Sequence, residues 1–102
     1  MDEKLLKIID YYGVQHQQRK LAEEFLELEE AITVHELKET VSYEIPLTEI
    51  VGTREHIIEE LADVMVLLTQ FKEYYQIDGN EILDVMKKKI DRQLQRMQEW
   101  QY

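Results

Sequence analysis

The chain has 102 residues, enough for one compact domain over 1–102 but too few for a core that is stable without tight helix packing or self-association. It has no cysteine, which excludes disulfides, thiolate zinc sites and cysteine nucleophiles. A net charge of −10 disfavours nucleic acid as a partner, and without an apolar run near the roughly 20 residues of a membrane span, or a secretory leader, the expectation is a cytoplasmic protein away from membranes.

With three glycines and one proline, little interrupts helices, and the chain reads as all-α. Leu5, Leu6, Ile8 and Ile9 mark a short first helix that stops near Gly13. A longer second helix places Leu21, Phe25, Leu28, Ile32 and His35 on one face and ends between Leu37 and Thr40. Between Thr40 and Gly52 the helical period is lost, and Ser42, Pro46, Thr48 and Gly52 mark the main loop. A third helix starts after Thr53, a suitable N-cap, and runs to about Tyr75. Asp78 and Glu81 form a capping-box start for a fourth helix, with Ile82, Leu83, Met86, Ile90, Leu94 and Met97 as its apolar stripe. Short connections between four helices predict a four-helix bundle. From Val64 to Leu68 the third helix is apolar all round, which predicts burial on every side, either at the centre of a monomer or, as the favoured reading, in a homo-oligomer built on that helix.

Acidic residues are too common for their number to mean anything. There are six acid pairs at i,i+3, and random placement of 22 acids gives about five. Position separates them. Asp78, Glu81 and Asp84 lie at a helix start, where the macrodipole favours negative charge. Glu36 and Glu39 run into a polar loop. Glu24, Glu27, Glu60 and Asp63 sit mid-helix beside apolar rows, Glu60 in line with Val64, Leu67 and Phe71. Like charges at that spacing repel, and burial raises the cost. A hard divalent cation offsets it, because Mg²⁺ and Mn²⁺ favour carboxylate oxygens and water. If the second and third helices run antiparallel, the two pairs can face each other at one height. A di-iron carboxylate centre needs Glu-x-x-His on two helices; the residues three before His16, His35 and His56 are Gly13, Ile32 and Thr53.

The segments Lys20-Leu-Ala-Glu-Glu-Phe-Leu-Glu-Leu-Glu-Glu-Ala-Ile32 and Glu59-Glu-Leu-Ala-Asp-Val-Met-Val-Leu-Leu-Thr-Gln70 together resemble the MazG-like all-α nucleoside triphosphate pyrophosphohydrolases. The signature Glu-Glu-x-x-Glu followed by Glu-x-x-Asp falls on Glu23, Glu24 and Glu27, then on Glu60 and Asp63. The resemblance implies that Glu24, Glu27, Glu60 and Asp63 ligate Mg²⁺, with Mn²⁺ as a substitute, and that a nucleoside triphosphate is hydrolysed to the monophosphate and pyrophosphate. It also implies that Gln17 and Lys20 point toward the nucleotide. Lys89, Arg92 and Arg96 match the family's basic pattern on one face of the fourth helix, suited to neutralising phosphate oxygens. The chain departs from the family in its 32-residue spacer between Glu27 and Glu60, which is long.

Glu27 is the expected group for orienting or deprotonating the attacking water, supported by Glu23 behind it. Tyr12, Tyr74 and Trp100 are candidates for stacking on the base. Three alternatives share the pattern: a dUTP pyrophosphohydrolase, a phosphoribosyl-ATP pyrophosphohydrolase, and a non-catalytic helical module whose acidic stripe meets a basic partner. The expected assembly is a homodimer or a dimer of dimers.

Overall fold

A computed structural model describes residues 2–40 and 51–99 of the chain. Most of the expected main loop, residues 41–50, and Trp100 lie outside the described residues. The described residues are helical: α1 is Asp2–Tyr12, α2 Val14–Thr40, α3 Arg54–Tyr74 and α4 Gly79–Glu99.

Local chemistry accounts for the boundaries. Gly13 takes φ +90° and donates its N–H to the Ile9 carbonyl at 2.8 Å, while its own carbonyl accepts from Gln17 N at 3.0 Å. One residue in the left-handed region thus ends α1 and starts α2 in a new direction. Thr53 caps α3, its hydroxyl accepting from His56 N at 3.1 Å. At the far end Gln76 adopts φ +56° and Ile77 N reaches the Lys72 carbonyl at 3.0 Å, a Schellman-type stop in which glutamine stands where glycine is usual. At the start of α4, Glu81 Oε2 accepts from Asp78 N at 3.1 Å and Asp78 Oδ1 from Asn80 N at 2.9 Å, as the Asp-x-x-Glu spacing predicts.

Helix α3 is the centre of the packing, with α2 on one side and α1 on another. The core is Leu5 and Ile9 from α1, Ala31 and Val34 from α2, and Val64 and Leu67 from α3. Three points of register order α2 against α3: Gln17 bonds Gln70, Glu24 clusters with Glu60 and Asp63, and His35 Nδ1 donates to the Gly52 carbonyl at 2.9 Å. Numbers rise along one helix as they fall along the other, so the two run antiparallel.

Three expectations change. The face that α2 buries carries Gln17, Glu24, Ala31 and Val34, while Phe25 and Ile32 are exposed. Polar side chains therefore hold core positions that a purely apolar stripe assigns to their neighbours. Only one face of the Val64–Leu68 run is covered: Val64 and Leu67 are buried, but Met65 is 63% exposed and Val66 and Leu68 are exposed as well. Finally, α4 forms no packed interface with the other helices, and every residue from Asn80 to Glu99 is exposed. A single chain is thus three packed helices with a fourth standing off. Its radius of gyration of 17.7 Å exceeds the roughly 13 Å of a compact domain of about 100 residues.

Candidate metal centre

Glu24 from α2 meets Glu60 and Asp63 from α3, with one carboxylate oxygen from each lying within 4.8 Å of the other two. The i,i+3 spacing puts Glu60 and Asp63 on one face of α3, and the antiparallel register brings Glu24 opposite them. Glu24 is 6% exposed and Glu60 9%, whereas Asp63 opens onto a cleft. Glu27 is exposed one turn further along α2 and stands outside this cluster.

Each buried carboxylate has one oxygen engaged and one left over. Glu24 Oε1 accepts from Lys20 Nζ at 3.2 Å. Glu60 Oε1 lies 3.2 Å from His56 Nε2, while His56 Nδ1 accepts from the Gly52 N–H at 3.2 Å. A ring nitrogen that accepts carries no hydrogen, so His56 has its proton on Nε2 and donates it to Glu60. The remaining oxygens, Glu24 Oε2 and Glu60 Oε2, are enclosed and have no hydrogen-bond partner among the described residues. Buried carboxylate oxygens are normally satisfied, and leaving one bare costs about 1–3 kcal/mol or more.

Three carboxylates and the Lys20 ammonium sum formally to two negative charges. The donors are all hard oxygens, drawn from three carboxylates that come within 4.8 Å of one another, and two of those carboxylates carry an orphaned oxygen. This set suits a divalent cation of the oxygen-seeking kind, completed by water or by oxygens of a ligand.

The cleft beside the cluster has a volume of about 500 Å³ and is lined by Glu23, Glu24 and Asp63 at one end and by Gln17, Gln70 and Tyr12 among others. Lys20 is the cation on its wall. Its ammonium is held above the ordinary 10.5, chiefly by the hydrogen bond to Glu24 and next by that carboxylate's charge. Glu23 Oε2 approaches the same ammonium at 3.8 Å.

The structure gathers Gln17, Lys20, Glu23, Glu24, Asp63 and Tyr12 around this cleft, with Glu60 behind. It does not bring Lys89, Arg92 or Arg96 there, since all three are exposed on the unpacked α4. Tyr74 also lies elsewhere, edge-on to Tyr75 at 5.1 Å. Three residues of the site escaped the sequence reading: His16, His56 and Gln70. Two of them had a positional signal, because His56 is one turn before Glu60 and Gln70 two turns after Asp63, both on the carboxylate face.

No family model, no curated protein and no solved structure matches this chain.

Proposed function

We propose that the chain is a Mg²⁺-dependent nucleoside triphosphate pyrophosphohydrolase. The observation that carries this reading is the convergence of Glu24, Glu60 and Asp63, two with orphaned buried oxygens, beside an open cleft that Glu24 and Asp63 line with a cation on its wall. The resemblance of the two acidic segments to the MazG-like enzymes supports it independently of the geometry.

Glu24, Glu60 and Asp63 would hold the metal, with Glu27 joining from the next turn of α2 directly or through water. When bound there, Mg²⁺ supplies charge neutralisation for phosphate oxygens and a lowered pKa for the attacking water, and Mn²⁺ serves as a substitute. In the reaction, water adds to the α-phosphorus, the α–β anhydride bond breaks, and pyrophosphate leaves from the monophosphate product. Glu27, exposed on the next turn of α2 outside the cluster, would orient that water and accept its proton. Lys20 is poised to exchange its Glu24 contact for a phosphate oxygen, with Glu23 keeping the ammonium near the cleft. His56 fixes the orientation of Glu60 through its Nε2–H.

Lys89, Arg92 and Arg96 cannot serve this cleft from the position of α4 within one chain. In a homodimer or dimer of dimers, packing of α4 against another copy gives them a route to a phosphate.

The test is pyrophosphate release from ordinary, deoxy and oxidised nucleoside triphosphates, with Mg²⁺ and with EDTA. We expect release that vanishes in EDTA and falls at least about a hundredfold in Glu60→Gln, the loss typical when charge stabilisation of a transition state is removed. Release that EDTA leaves unchanged, or none from any nucleotide, contradicts the proposal.

A further inference from the structure

Two helical turns from the carboxylates, on both α2 and α3, a second polar group meets across the same interface. Gln17 and Gln70 are 4% and 2% exposed, and Gln17 Nε2 donates to Gln70 Oε1 at 2.8 Å. Gln17 Oε1 lies 2.8 Å from His16 Nδ1. An amide oxygen only accepts, so His16 carries its proton on Nδ1, and the network runs from His16 through Gln17 to Gln70. The His16 ring is stacked on Tyr12, with centroids 4.9 Å apart and planes at 17°.

Within this chain of bonds Gln70 only accepts, which leaves its amide nitrogen to donate into the cleft that it lines. A pair of leucines at these positions fills a helix interface without the desolvation cost of two amides. The polar pair therefore needs a reason beyond the fold. Its surroundings supply one: Ile8, Val66 and Leu67 give the cleft apolar walls at this end, and the Tyr12–His16 stack presents a planar aromatic edge. Few and convergent polar groups in an apolar cleft are the usual makeup of a small-molecule site. Seven residues of helix place the amides about 10 Å from the carboxylates, leaving room for a sugar and phosphate between the two ends.

We propose that this end of the cleft is a nucleobase subsite in which the Gln70 amide donates to a ring carbonyl, selecting oxo-bases over adenine. The inference rests on the reading of the carboxylate end as the phosphate and metal end. A base with a ring carbonyl completes the donor chain. Adenine offers an amino group at the corresponding edge, and donor then faces donor. Gln17 positions Gln70 and fixes which amide atom faces the ligand, so it acts through its neighbour.

The discriminating pair is inosine monophosphate against adenosine monophosphate, which share ring shape and differ in carbonyl against amino group. Calorimetric titration of the full chain measures their binding, with inorganic tripolyphosphate plus Mg²⁺ as the baseless probe and pyrophosphate release measured in parallel. The expected result is about tenfold tighter binding of the inosine nucleotide, shrinking to about twofold or less in Gln70→Met, with tripolyphosphate binding unchanged. Equal binding of the two nucleotides by the unaltered protein overturns the subsite, whether or not Gln70→Met folds. A preference that survives in folded Gln70→Met overturns the role of Gln70. The preference without any pyrophosphate release upholds the subsite and removes the reaction, while release with no preference does the reverse.

Discussion

Gly52 shows how one residue far from the cleft controls the carboxylates. It adopts φ +82°, and a Cβ built on it lies 2.6 Å from Val34 Cγ1 and 2.9 Å from the His35 backbone nitrogen. Its N–H orients His56, which in turn donates to Glu60. Gly52→Ala therefore combines backbone strain with a clash against main chain, and chemical denaturation should show a loss of about 2–3 kcal/mol. Lys20 gives a second residue-scale expectation. Its pKa is raised in the folded chain by Glu24, so the pair's contribution is complete below the unfolded value and lost as pH climbs through the raised one. The stability difference between the unaltered protein and Lys20→Met should be constant from neutral pH up to the ordinary 10.5 and shrink above it, and salt should weaken it across that range because Lys20 is half exposed. Of the site itself, Glu24, Glu60 and Asp63 were legible because charge mid-helix beside apolar rows conflicts with its surroundings, whereas Glu27, marked by the same pattern, stands exposed outside the cluster. Gln70 was not legible, because its bond to Gln17 crosses to another helix whose register no local pattern states, and His16 and His56 showed only their spacing to Gln17 and Glu60, which many histidines on a helix share.

The helices were easier to read than their faces. Ends were marked by short-range chemistry, a left-handed glycine after α1, a threonine cap on α3 and a capping box on α4, and each stands where the residues indicated it. The buried face of α2 was misread because Gln17 and Glu24 take interior positions that hydrophobicity alone assigns to Phe25 and Ile32. Helix α4 illustrates the opposite case, a clear amphipathic pattern that none of the other described residues covers. Ile82, Met86, Ile90, Leu94 and Met97 are all exposed along one stripe, more apolar surface than a monomer ordinarily presents. Burial of that stripe by a second copy predicts that Ile90→Asp combined with Leu94→Asp converts an oligomer to a monomer in light scattering after size-exclusion chromatography. Metal binding should persist, since α4 contributes nothing to the cluster. An unaltered protein that runs as a monomer at micromolar concentration contradicts this.

At the scale of the molecule, α1–α3 form a small packed unit whose interior holds two carboxylates with bare oxygens and a buried pair of amides. A fold this small has little stability to spare, so buried groups that repel or lack partners point to a ligand the chain is shaped to receive. Among the described residues α4 does not join this unit, so the four-helix bundle is not completed by them. Four elements and their order were readable, but where the fourth packs was not, because an amphipathic stripe does not say which surface covers it. The most direct test of the central claim, that Glu24, Glu60 and Asp63 form a divalent-cation site, is the thermal midpoint with EDTA and with saturating Mg²⁺, for the unaltered protein and for Asp63→Asn. A ligand at a hundred times its dissociation constant stabilises by about 2.7 kcal/mol, which in a domain of this size is a rise of roughly 10 °C or more. The account predicts that rise in the unaltered protein, and in Asp63→Asn an equal or higher midpoint in EDTA with no response to Mg²⁺. An unaltered protein indifferent to Mg²⁺, or an Asp63→Asn variant that responds equally, would contradict it.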